Sequence, residues 1–185
     1  MTPIDPKEAA SALSEIKDIA QRVRQSTIYN LASLSMIMWG VLTTAGYLVT
    51  YFSPRHAGYL WVTVDAAGIV GSFVISALGY AKTRVRSFDF RTLLAFLLFV
   101  AFGLFASLWL GHFNGRQLSA FWPIYFMLIY TAVGLWVGNA FVVIGLSITA
   151  LTLIGYFYVG AWFDLWMAAV DGGGLILGGL WMRRS

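Results

Sequence analysis

The alternation of apolar and polar positions divides this chain into one amphipathic stretch and six long apolar blocks. The blocks cover residues 28–52, 58–80, 92–111, 119–137, 140–158 and 162–181. An α-helix needs about 20 apolar residues to cross a hydrocarbon layer roughly 30 Å thick, so each block predicts one transmembrane helix. The breaks are polar or turn-forming. Ser53-Pro54-Arg55-His56 follows the first block, and Lys82, Arg84, Arg86, Asp89 and Arg91 follow the second. His112 to Arg116 follows the third, Gly138-Asn139 forms a tight turn after the fourth, and Gly160 marks the join of the fifth and sixth.

Ahead of the blocks, residues 1–27 read as a cytoplasmic amphipathic helix, and residues 28–185 as the membrane domain. Asp5-Pro6-Lys7-Glu8 carries the signature of a helix start: a capping residue, a proline at the first helical position and an acid three residues after the cap. Ala9, Leu13, Ile16, Ala20 and Val23 then recur at spacings of four and three, forming one apolar stripe. Such a helix either lies on the membrane surface or the cytoplasmic loops, or makes a coiled-coil contact with another subunit. A partner bound through residues 5–27 is therefore expected to be a second copy or a cytoplasmic protein.

Composition agrees with lipid as the main solvent. Of 185 residues, 59% are hydrophobic and 11% charged, against about 25% charged in soluble domains. The mean hydropathy is +0.77. The chain has no cysteine, which excludes thiol and iron–sulfur chemistry, and two histidines leave little scope for a metal or haem. No cofactor is expected. The net charge of +4 predicts no nucleic-acid binding, because the basic residues flank the spans. With the N-terminus inside, ten of the twelve Lys and Arg residues fall on the cytoplasmic side and only Arg55 and Arg116 on the other. The positive-inside rule thus predicts a multi-pass protein of the cell (inner or plasma) membrane with both termini cytoplasmic. No cleavable signal peptide is expected, since the first apolar run follows a long charged segment and is long enough to span.

The six spans also read as three parallel copies of a two-helix hairpin. In each, a glycine of the first helix (Gly40, Gly103, Gly145) precedes one of the second (Gly68, Gly134, Gly174) by about 28 to 31 residues. Ala67 with Gly71, Gly134 with Gly138, and Gly174 with Gly178 then give each even-numbered helix a small-xxx-small face. On this reading the even-numbered helices meet near the centre.

Asp65 and Asp171 occupy equivalent places in the first and third copies, and Tyr130 or Thr131 holds that place in the second. Each aspartate lies roughly 10–15 Å inside its span at 1.5 Å per residue. An acid at that depth costs about 2.5–3.5 kcal/mol on insertion scales, so it must be neutral, paired, or facing water or protein. The spans supply no Lys or Arg to pair with it. Two readings follow: a site for proton or monovalent-cation exchange, or hydrogen-bonded acids that tie helices together. His56 and His112 share the outer side, where a pH sensor, a metal pair or plain loop histidines are the alternatives. Pro123 is expected in the first turn of the fourth span. Gly172-Gly173-Gly174 allows either flexing at Asp171 or close packing. No nucleophile elbow, zinc-protease motif or phosphate-binding loop occurs, so an enzyme is not expected. The sequence thus points to an all-α, six-span membrane protein. It is either a transporter or channel for a proton, cation or small solute, or a non-transporting anchor, sensor or regulatory subunit whose N-terminal helix docks a cytoplasmic partner.

Overall fold

A computed structural model describes residues 6–83 and 90–184 of the chain. The expected cap Asp5 and the loop residues Arg84, Arg86 and Asp89 lie outside the described residues. Every helix and turn element between those limits is helical in type: α1 Pro6–Phe52, a 3₁₀ turn Pro54–His56, α2 Ala57–Thr83, α3 Phe90–Leu104, α4 Gly115–Val137 and α5 Asn139–Tyr158. The sixth span comprises α6 Phe163–Met167, a π-helical turn Ala168–Gly173 and α7 Gly174–Met182. A second π turn, Phe105–Leu110, extends α3. Six segments are long and apolar enough to cross a membrane: Ile28–Phe52, Pro54–Gly79, Leu93–Leu110, Gly115–Val137, Asn139–Tyr158 and Phe163–Arg184. They match the six apolar blocks to within a few residues, and the chain is a polytopic membrane protein. An even number of crossings returns both termini to one face, called here the terminal face.

Helix α1 starts at Pro6 and runs unbroken for 47 residues. The amphipathic stretch and the first span are therefore one helix, since no glycine or proline between Pro6 and Gly40 interrupts the hydrogen-bond ladder. Leu13, Ile16 and Ile19 are exposed on the extension, at 55%, 62% and 56% of their full surface.

The first span is the hub. It packs against α2 on one side and against the sixth span on another. Toward α2 the fit is reciprocal: the Trp39 ring lies over Gly68, and the Trp61 ring lies over Gly46. Both indoles are satisfied across the interface, Trp39 donating to Ser72 Oγ and Trp61 to Thr50 Oγ1, each at 3.1 Å. Toward the sixth span, glycine brings backbone against backbone. A Cβ on Gly40 would stand 2.7 Å from the Gly172 carbonyl oxygen, and one on Gly172 would stand 2.8 Å from the Thr44 nitrogen and 2.9 Å from the Gly40 oxygen. Ser33 Oγ donates to the Gly179 carbonyl at 2.7 Å on the same interface.

Helix α4 packs closely on α5, to which the Gly138 turn joins it. That pair straddles the boundary between the second and third expected copies. The small-residue faces also engage other partners than expected. Gly71 faces Met38 of α1, Gly134 faces Phe141 and Val142 of α5, Gly174 faces Ile148, and Gly178 faces Ile144 and Met36. Ala67 is exposed, and Gly138 ends α4. The centre therefore belongs to α1, α5 and the sixth span, where Gly40, Gly172, Gly174 and Gly178 let the helices approach. Helix α3 attaches to α4 through aromatics: Phe99 stacks on Tyr125 with centroids 3.9 Å apart, and Tyr125 donates to the Phe99 carbonyl at 3.0 Å.

Helix α4 also begins earlier than the apolar block implied. Asn114 and Gln117 form a capping box, with side chain to backbone bonds of 2.9 Å in both directions. Pro123 consequently sits inside the helix and buried, not in its first turn.

Substituting Gly172 with Ala is expected to destabilise the fold by about 1–3 kcal/mol, because backbone atoms on both sides leave the new methyl no room. Gly58→Ala, where nothing lies within 4 Å, is the control expected to be neutral. Thermal unfolding of both variants in detergent checks this.

Candidate functional site

Asp171 is 4% exposed and lies within the π turn of the sixth span. A π turn widens the helix by one residue and shifts the side chains that follow it, and such turns recur at functional sites. Here it coincides with the glycine run that lets α1 approach. Gly172 packs on Gly40 and Thr44, and Gly174 packs on Ile148, so close packing is what these glycines serve.

Thr43 of α1, a neutral hydroxyl, lies beside the Asp171 carboxylate, with its Oγ1 3.4 Å from the Gly40 carbonyl of its own helix. The neighbouring Thr44 hydroxyl lies 2.7 Å from the Gly40 carbonyl of its own helix and 3.4 Å from the Ala168 carbonyl in the π turn. Across the core, Thr152 of α5 is fully buried and its hydroxyl has no hydrogen-bond partner among the described residues. Its level is fixed by two contacts of α5 with the sixth span, Ile148 against Gly174 below and Gly155 against Trp166 above. Antiparallel register therefore sets Thr152 at the height of Val170 and Asp171. A buried hydroxyl left unbonded costs about 1–3 kcal/mol, which marks the position as one where structure alone is not optimised.

Tyr47 was not singled out from the sequence, yet it packs against the sixth span beside Phe163, Met167 and Ala168. It is almost completely buried, packs edge-on to Trp61 at 4.9 Å, and donates to the Ser119 carbonyl of α4 at 3.0 Å. Tyr130 of α4 lies within reach of Asp171 and rests against Phe141 at 5.9 Å. Thr131 does not share this position: its hydroxyl bonds back to the Met127 carbonyl at 2.9 Å, beside Gly145 of α5.

Asp65 is on α2 with its side chain exposed on the surface of the single chain. The two aspartates thus do not line one buried site. Asp164 is partly buried near the face opposite the termini. There Arg116 closes the end of α5, donating to the Gly160, Tyr156 and Val159 carbonyls at 2.7, 2.8 and 2.6 Å. Its guanidinium also sits 4.6 Å from the Phe163 ring centroid, and its charge reaches Asp164. A cation is favoured at the negative end of a helix, and the planar fork suits several carbonyls at once.

His56 and His112 are both exposed, and His56 Nδ1 is 2.9 Å from Ser53 Oγ within its own turn. Among the described residues no three His, Cys, Asp or Glu side chains group as metal ligands. An open cavity of about 310 Å³ lies between α1 and α2, bounded by Leu31, Ser35, Ser72, Ile75 and Ser76. It is nearer the terminal face than Asp171, since Ser35 precedes Thr43 by about 12 Å of helix.

Thr152→Val removes the unbonded hydroxyl at nearly constant shape, so stability is expected to hold or rise. Thr44→Val removes a hydroxyl that is bonded and is expected to cost about 1 kcal/mol. Chemical or thermal unfolding of the two variants in one detergent compares them. Comparison of the chain with protein-family models, with curated proteins and with solved structures found no match.

Proposed function

We propose that this protein is a small membrane transporter or channel in which Asp171 takes up and releases a proton. The observation that carries this reading is a carboxylate buried within the sixth span, beside the neutral hydroxyl of Thr43. A carboxylate held against an arginine or lysine is fixed in its charge; one held against threonine can exchange its proton. Intramembrane acids of this kind commonly belong to proton relays.

The order of polar groups supports a path. Asp164 is the second residue of the sixth span, and Asp171 lies seven residues, or about 10 Å, deeper. Between them the buried Tyr47 packs with Phe163, Met167 and Ala168, and Tyr130 packs against the core cluster that holds Val170. Together they form a line of carboxyl and hydroxyl groups leading inward from the face opposite the termini. On the orientation expected from the basic residues, that face is the outer one and the termini are cytoplasmic. Close packing around Asp171 favours a bare proton over a hydrated ion or a larger solute. Asp65 is exposed on α2 and lies off this line.

Reconstituted vesicles carrying an internal pH dye test the proposal. An imposed proton gradient is expected to collapse faster with the wild-type protein than in empty vesicles. Asp171→Asn is expected to abolish that flux, and Tyr47→Phe to reduce it at least tenfold. Asp65→Asn is expected to slow it less than Tyr47→Phe. Equal flux in wild type and Asp171→Asn, with both folded, would refute the assignment.

A further inference from the structure

We infer that the open cavity between α1 and α2 is a binding site for one anionic phospholipid, which enters from the bilayer and sets its phosphate at the terminal face. The site is separate from Asp171 and does not depend on the role given to that residue.

The cavity measures about 310 Å³ and, among the described residues, is walled by α1 and α2 alone. Its walls fall inside the first two spans, from Ile28 to Ser35 on one helix and from Ser72 to Ser76 on the other. A space with two protein walls at that depth opens to the bilayer, and lipid fills it. The walls then decide which part of which lipid fits. The volume is at the low end for ligand pockets, so it takes a glycerol backbone and the start of its chains.

An acyl chain alone does not suit these walls, because Ser35, Ser72 and Ser76 line them among apolar side chains. Ser72 is committed to the protein. It donates to the Gly68 carbonyl at 2.8 Å and accepts from Trp39 Nε1 at 3.1 Å, which holds the deep end of the wall in place. Ser35 and Ser76 bring the other hydroxyls to the cavity, about 10 and 5 Å inside the ends of their spans. A hydroxyl in hydrocarbon gains from an acceptor. The acceptors that a lipid brings to this depth are the ester carbonyls of its glycerol backbone.

Charge selects the head group. Helix α1 carries Arg22 and Arg24 six and four residues before Ile28, and α2 carries Lys82 three residues after Gly79. At 1.5 Å per residue, Arg24 and Lys82 stand about 5–6 Å outside the hydrocarbon edge. The interfacial layer on each side of a bilayer is itself roughly 5–7 Å thick, so both helices bring a cation to the level of the lipid phosphate. Basic pockets between membrane helices at this level recognise anionic head groups. The positive-inside rule accounts for basic residues on this face in general. It does not account for a hydroxyl-lined cavity between the two helix segments that carry them.

Native mass spectrometry of the full-length protein, stripped of lipid in a neutral detergent, tests the site. Dioleoylphosphatidylglycerol is expected to bind as a single tight adduct. Dioleoylphosphatidylcholine, with the same chains, is expected to bind about tenfold more weakly or worse. The diether analogue of phosphatidylglycerol, which lacks ester carbonyls, is expected to lose about fivefold, the size of one hydrogen bond. Glycerol phosphate without chains is expected not to compete, which separates a lipid from a free phosphate. Arg24→Gln with Lys82→Gln is expected to remove the preference for phosphatidylglycerol. Arg183→Gln with Arg184→Gln, on the same face at the end of the sixth span, is expected to leave it intact. Ser35→Leu, which fills the cavity, is expected to abolish the tight adduct. Equal binding of the two diester lipids by the wild type would overturn the proposal. So would a preference that survives Arg24→Gln with Lys82→Gln, or one lost equally in both double variants. Competition by glycerol phosphate, or a diether lipid held as tightly as the diester, would overturn it as well. Arg24 and Lys82 lie outside the spans, so the charge variants decide the matter if Ser35→Leu does not fold.

Discussion

Gly40 and Gly172 meet where the first and last spans cross, and their missing side chains let two backbones touch inside the bundle. In lipid no hydrophobic force drives helices together, so close packing and hydrogen bonds must do it. The contact therefore sets the geometry of much else. It draws Thr44 against the π turn, sets Thr43 beside Asp171, and aligns Ser33 with the Gly179 carbonyl. Helix α2 is then carried on the other side of α1 by reciprocal tryptophan–glycine contacts. Helices α4 and α5 close the bundle from the far side, and Arg116 pins their ends.

Polar groups in the membrane part follow one rule with two departures. Serine and threonine hydroxyls mostly bond to the carbonyl four residues back, as at Thr50, Ser72, Ser107 and Thr131. This answers the need for internal satisfaction where water is absent. Asp171 departs from it by having a carboxylate at the core, and Thr152 by having a hydroxyl with no partner. Both fall at one height of the bundle, beside a helix distortion. The coincidence is what separates this region from ordinary packing.

The six spans and their limits were legible because lipid imposes a length and an apolar composition on every crossing. Asp171 was legible because a charged side chain in such a block stands out in one dimension. The rest needed a third dimension. Asp65 has the same sequence setting as Asp171, but only the direction of α2 reveals that it faces outward. Tyr47 and Thr152 were hidden because hydroxyl residues are common in membrane helices and gain meaning from their neighbours. Arg116 read as a loop cation, and its carbonyl partners lie about 40 residues away. The hairpin repeat rested on string similarity, and the α4–α5 pair crosses its boundary. Whether the extension lay flat or stood as part of α1 could not be decided from its stripe, since periodicity describes a face and not a direction in space.

The account places one exchangeable proton on Asp171, and infrared difference spectroscopy measures that directly in lipid-embedded protein. A carboxylic-acid carbonyl band is predicted that appears and disappears reversibly as the bath pH is cycled. The band should shift in Thr43→Val and be missing in Asp171→Asn. A carboxyl that keeps one protonation state at every pH at which the protein stays folded would contradict the account.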